Sequence, residues 1–115
     1  MADLGHAEDM SESKTAGSLQ DRYLAEVTRI VRKTLQGTRC RVYLFGSRAT
    51  GQYHVASDFD IAVETSVEVS RWLGVARDLL EGSNIPFIVD LVELSAAPEA
   101  LQQRVLEQGI LLWSD

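Results

Sequence analysis

In the stretch LFGSRATGQYHVASDFDIAVE, residues 44–64, a Gly46-Ser47 pair is followed after ten residues by Asp58-Phe59-Asp60. Side chains two apart on a strand point the same way and lie roughly 6.5–7 Å apart. Asp58 and Asp60 therefore offer two carboxylates to one side. A third acid, Asp90, interrupts the apolar run FIVDLVEL, where an unpaired carboxylate is costly to bury. If that run lies beside the strand of Asp58 and Asp60, three acids converge. Like charges so close raise one another's proton affinity unless a cation neutralises them. With no His or Cys pair nearby, these hard oxygen ligands suit Mg²⁺, or Mn²⁺, rather than zinc. Mg²⁺ combines one or two carboxylates with waters and substrate phosphates, so the acids imply a nucleoside triphosphate.

The Gly-Ser pair supplies the complementary half. Gly46 lets backbone approach a phosphate closely, Ser47 adds a hydroxyl donor, and SRAT can open a short helix whose free N–H groups favour an anion. Arg48 either adds a cation to the same phosphates or is a solvated surface arginine, since Arg serves both purposes. His54 and Tyr53 lie in the intervening loop. For His54 a solvated position is the expectation, as loops run over the surface, while Tyr53 offers a ring on which a base can stack. Gly-Ser followed at this fixed spacing by Asp-x-Asp arises by chance in roughly one or two of a thousand chains of this length. A turn and an edge strand with two solvated acids would account for Asp58 and Asp60, but would leave Asp90 without a reason.

These residues need a scaffold, and periodicity outlines one. Leu19, Tyr23, Val27, Ile30, Val31 and Leu35 form a helical stripe, closed by Gly37. CRVYLF is a β-branched and aromatic strand broken by Gly46, and SDFDIAVE is a second. In TSVEVSRWLGVARDLLEG, Thr65 and Glu68 have the spacing of a capping box. Val69, Trp72, Leu73, Ala76, Leu79 and Leu80 form its expected buried stripe, and Gly82 ends the helix. IPFIVDLVEL reads as a third strand, with Pro86 near its start, where a missing ladder donor is tolerated. A last helix is expected over residues 95–108, with Leu101, Val105 and Leu106 on its apolar side, and ILLW as a short final strand. Trp72, Trp113, Tyr43 and Phe45 are expected in the core. The prediction is an α+β fold, a small mixed sheet with helices packed on it.

The chain has 115 residues, 45% of them hydrophobic, 24% charged, with a net charge of −6. That length allows one domain and leaves no room for a second. Residues 1–17 are polar, acidic and aperiodic and are expected to form a flexible tail, with the domain over 18–115. Apolar runs fall far short of the roughly 20 residues of a bilayer span, and the N-terminus lacks a signal-peptide pattern, so a cytoplasmic protein is expected. Without a Lys/Arg run, direct nucleic-acid binding is not expected. Cys40, the single cysteine, reads as a small core residue.

GSRATGQYHVASDFDIAV resembles the signature of the nucleotidyltransferase superfamily that includes DNA polymerase beta, and FIVDLVEL resembles its third-acid strand. Over about residues 18–113 the chain resembles the minimal nucleotidyltransferases, among them the MntA-type antitoxins paired with HEPN-domain ribonuclease toxins. The resemblance implies a polymerase-beta-type fold in which Gly46 and Ser47 hold the triphosphate, Asp58 and Asp60 bind two Mg²⁺ ions, and Asp90 shares one and helps deprotonate the incoming hydroxyl. It implies transfer of AMP from ATP to a tyrosine hydroxyl on a HEPN toxin held in a hetero-oligomer, neutralising the toxin. Steric inhibition without catalysis, and nucleotidyl transfer to a small molecule such as an antibiotic, are the alternatives. One departure is visible: Thr50 stands where many antitoxin members carry a second arginine, which bears on a phosphate or partner contact and leaves the metal ligands untouched.

Overall fold

A computed structural model describes residues 11–54 and 57–115. The elements run α1 (Ser11–Leu35), β1 (Cys40–Phe45), α2 (Ser47–Thr50), β2 (Phe59–Thr65), α3 (Ser70–Glu81), β3 (Val89–Glu93), a 3₁₀ turn (Leu94–Ala96), α4 (Glu99–Gln108) and β4 (Ile110–Ser114). They build one mixed sheet of order β3-β2-β1-β4. β1 is antiparallel to both neighbours, while β2 and β3 run parallel. A parallel neighbour requires a crossover, and α3 provides it. The α+β architecture expected from periodicity is the one observed.

Alternation along the strands assigns the two faces. Val42 and Leu44 of β1, Phe59, Ile61 and Val63 of β2, and Leu91 of β3 bury one face against Val27, Ile30, Val31 and Leu35 of α1 and Val69, Leu73, Ala76 and Leu80 of the α3 region. Cys40 belongs to this core and is 3% exposed. The opposite face carries a smaller cluster, Ala62 with Leu94 and Val105, flanked by Tyr43, Phe45 and Leu101. Among the described residues, one face is thus covered by two helices, the other only by the 3₁₀ turn and α4. The uncovered part of the second face is where polar side chains can sit without a desolvation cost.

Several sequence expectations are corrected by the packing. α1 begins at Ser11, earlier than the boundary expected near residue 18, and residues 1–10 of the expected tail lie outside the described residues. The Thr65–Glu68 capping box does not form, because α3 starts at Ser70, too late for Thr65 to reach it. Thr65 Oγ1 instead accepts from Val67 N (3.2 Å) and Glu68 Oε1 accepts from Ser70 N (3.0 Å). Trp72 and Leu79, expected inside, are 42% and 47% exposed. A helix lying on one layer buries a stripe at 69, 73, 76 and 80, and residues 72 and 79 fall on its flank. Finally, α4 begins only at Glu99, after Pro98 at its N-cap, and Leu106 is exposed on its outer side. Trp113 is only partly buried against the main core, beneath the Arg32 guanidinium at 5.9 Å.

Candidate active site

The register of the sheet assembles the acids. Asp60 pairs with Phe45 of β1 on one side and with Asp90 of β3 on the other. Cross-strand partners share a face, and Ile61 faces the main core, so Asp60 and Asp90 lie on the less covered face. Asp58 stands immediately before β2, close enough for its charge to act on Asp60. All three occupy the end of the sheet where β1 finishes and β2 and β3 begin. Asp60 is half-buried, whereas Asp58 and Asp90 are exposed. The expectation that Asp90 is buried at a cost is corrected: it sits mid-sequence in an apolar run, but on an edge strand whose outer face is open.

Asp60 holds its proton more tightly than an ordinary carboxylic acid, first because burial opposes its ionisation, then because the charges of Asp90 and Asp58 do. This is the repulsion a divalent cation relieves. Among the described residues no three His, Cys, Asp or Glu side chains are gathered closely enough to cage a metal by themselves. The donors present are all carboxylate oxygens, which fits Mg²⁺ or Mn²⁺ taking its remaining ligands from water and phosphate oxygens.

Gly46 is shaped by the same acid. Its backbone has φ 77° and ψ −157°, a region essentially reserved for glycine. A Cβ here would overlap Asp60 Oδ2. The turn therefore brings bare backbone against the Asp60 carboxylate. α2 follows at once, with no side chain capping its first turn. Gly46 O accepts from Ala49 N (3.1 Å) and Thr50 N (3.3 Å), which closes that turn. Ser47, partly buried, opens it beside the acids. Thr50 is exposed and donates to Ser47 O at 3.3 Å.

Arg48 is not the solvated surface arginine of one of the two expectations. It is 4% exposed. Its guanidinium carbon lies 4.2 Å from the Phe59 ring centroid, 4.8 Å from Tyr53 and 5.0 Å from Phe87. Nε donates to Ser57 O (3.0 Å) and Nη1 to Gln20 Oε1 (3.1 Å). Burial lowers its proton affinity, and Tyr53 and Asp58 act in the opposite sense. Behind this cage Phe87 packs edge-on to both Tyr23 and Phe59, at 5.4 and 5.7 Å. Tyr53 is thus occupied by Arg48. His54 is exposed and joined to Ser57 through two short-range hydrogen bonds, His54 N to Ser57 Oγ and Ser57 N to His54 O. Nothing in the sequence marked Gln20 or Phe87 as part of this region, because their neighbours in space lie 28 and more residues away. A cavity of about 410 Å³ lined by Arg39, Arg41, Glu64, Thr65 and Asp115 opens at the opposite end of the sheet and contains none of the motif residues.

The family profile described as Polymerase beta, Nucleotidyltransferase matches residues 31–115. A protein adenylyltransferase MntA from Shewanella oneidensis is 43% identical over 75 residues, covering 63% of this chain and 52% of that protein. The chain therefore spans about half the length of that relative. A crystal structure of a toxin-antitoxin with AMP-PNP superposes with TM-score 0.59 at 33% identity, over 76% of this chain and 73% of the other. A structure of a tri-AMPylated Shewanella oneidensis HEPN toxin in complex with its MNT antitoxin contains a chain that superposes with TM-score 0.62 at 27% identity, over 84% and 73%.

Proposed function

The chain belongs to the polymerase beta nucleotidyltransferase family, and from that premise we propose that it is a protein adenylyltransferase antitoxin, transferring AMP from ATP to a tyrosine hydroxyl of a partner HEPN-domain ribonuclease. The observation that carries this reading is the pairing of Asp60 with Asp90 at the open end of the sheet, directly beside the Gly46 backbone. Support comes from the likeness to the Shewanella oneidensis adenylyltransferase and to the antitoxin that accompanies an AMPylated toxin. The proposed place of action is the cytoplasm. Among the described residues no helix is long and apolar enough to cross a membrane.

In this reading Gly46 and Ser47 would receive the triphosphate, and Asp58, Asp60 and Asp90 would hold two Mg²⁺ ions. When bound, Mg²⁺ neutralises phosphate charge and the carboxylate repulsion, and lowers the pKa of a coordinated hydroxyl. The tyrosine oxygen attacks the α-phosphorus, its proton passes to the Asp90 carboxylate, and the bond to the pyrophosphate oxygen breaks. Exposure of Asp90 leaves it within reach of a hydroxyl presented from outside, while half-buried Asp60 is fixed between two strands. In this proposal the partner presents its own tyrosine to the open end of the sheet, held with this chain in a stable hetero-oligomer.

Intact-mass spectrometry of the HEPN partner, after incubation with this chain, Mg²⁺ and each of the four ribonucleoside triphosphates in turn, tests the proposal. The expected result is a gain of one or more AMP units with ATP alone, absent for the Asp58→Asn/Asp60→Asn variant and mapped to tyrosine by peptide sequencing. An unmodified partner that is nonetheless inhibited would replace transfer by steric inhibition.

A further inference from the structure

Asp58 precedes β2 and is outside the ladder that fixes Asp60. On its C-terminal side it is tied by Phe59 N, which donates to Ile88 O at 2.9 Å. On its N-terminal side the carbonyl of Ser57, one residue before it, accepts from Arg48 Nε at 3.0 Å. The same guanidinium donates to Gln20 of α1 and lies among the rings of Tyr53, Phe59 and Phe87. It therefore joins α1, the loop, β2 and the segment before β3 at one point. A planar guanidinium has donors in fixed directions and faces that stack on rings, and a lysine ammonium cannot reproduce that combination.

We propose that Arg48 is a positioning residue for Asp58: it acts through the Ser57 carbonyl to hold that carboxylate in place for the divalent cation, and makes no contact with the nucleotide. The inference rests on the nucleotidyltransferase reading and deepens it. At 4% exposure, with Nε on Ser57 O and Nη1 on Gln20 Oε1, the side chain is buried in the interior. It is the neighbour of Ser47 in sequence, yet it serves the other half of the motif.

The test is Mn²⁺ binding to the isolated chain, read from the free-ion resonance in electron paramagnetic spectra, with ATP affinity measured separately at saturating Mn²⁺. The variants are Arg48→Met, Arg48→Lys, Asp58→Asn, each Arg48 change combined with Asp58→Asn, and Gln20→Ala. Loss of support behind a metal ligand weakens the ion by about 10–100-fold, and that is expected for both Arg48 variants, with no rescue by lysine. Combined with Asp58→Asn, neither should weaken Mn²⁺ further, because the two changes remove one effect. ATP affinity at saturating Mn²⁺ should stay within about twofold of wild type. Should the Arg48 variants fail to melt cooperatively, Gln20→Ala carries the test: it loosens the guanidinium without altering the motif, and Mn²⁺ should weaken in it selectively. Wild-type Mn²⁺ affinity in Arg48→Met or Arg48→Lys overturns the inference. So do losses that add to those of Asp58→Asn, or an ATP affinity that falls as Arg48 is replaced. A wild-type chain that binds neither Mn²⁺ nor ATP removes the nucleotidyltransferase reading itself, and that result is distinct from the others.

Discussion

Replacing Gly46 with alanine perturbs two things at once, and the structure separates their sizes. At φ 77° and ψ −157° a non-glycine residue carries about 1–3 kcal/mol of backbone strain. For a domain of this size about 1 kcal/mol moves the melting temperature by about 4 °C, so a loss of roughly 4–12 °C is expected. The added methyl would also overlap Asp60 Oδ2, whereas ordinary contact for a Cβ lies at 3.4–4 Å. The Asp60 carboxylate must retreat by about 1 Å, and a displacement of that size costs about 100-fold in rate, or about 2.7 kcal/mol in the barrier. Gly51→Ala is the control. Gly51 also has a positive φ, 83°, but no atom lies within 4 Å of a Cβ placed there. It should lose about 1–2 kcal/mol of stability and keep its transfer rate. The assays are thermal melting by circular dichroism and initial rates of AMP transfer to the partner from labelled ATP. A Gly46→Ala protein that transfers AMP within threefold of the wild-type rate, or a Gly51→Ala protein that loses activity to the same extent, would refute the argument that Gly46 is required by its contact with Asp60.

Three further outcomes follow from burial and charge. In EDTA, Asp60→Asn should melt above wild type, by a margin that widens as pH rises from about 3.8. The folded carboxyl binds its proton more tightly than the unfolded one, so the folded state holds more protons through that window and wild-type stability falls as pH increases; parallel melting curves at every pH would contradict this. Trp72→Ala should change stability by less than about 0.5 kcal/mol, whereas Leu73→Ala, removing a side chain that is 1% exposed, should cost about 2–5 kcal/mol, both read from urea midpoints. Cys40 is buried, and desolvation raises its thiol pKa above the usual value, so reaction with a disulfide reagent at pH 8 should follow the rate of unfolding; prompt labelling of the native chain would count against its place in the core.

Local periodicity by itself determined most of the elements. The stripe from Tyr23 to Leu35, the strand CRVYLF and the alternation in DFDIAVE each depend on residues near one another in sequence, and each element formed where that pattern lies. The candidate site residues Gly46, Ser47, Asp58 and Asp60 could be picked out for the same reason, since a turn and an i, i+2 spacing are local features. Tertiary structure alone decided the rest. That Asp90 stands beside Asp60 is a matter of strand order and register, and its exposure followed from which face α4 leaves open, not from its apolar neighbours. Trp72 and Trp113 looked like core by residue type, but how much of each is covered depends on which flank another element reaches. Arg48 shows the limit most clearly. Its sequence neighbours left a phosphate contact and a solvated surface both open, whereas its burial was set by Gln20, Phe59 and Phe87, groups brought together only when α1 and the sheet pack. Interactions between residues far apart in the chain have no local signature, because they arise from the packing of elements whose individual patterns are blind to one another.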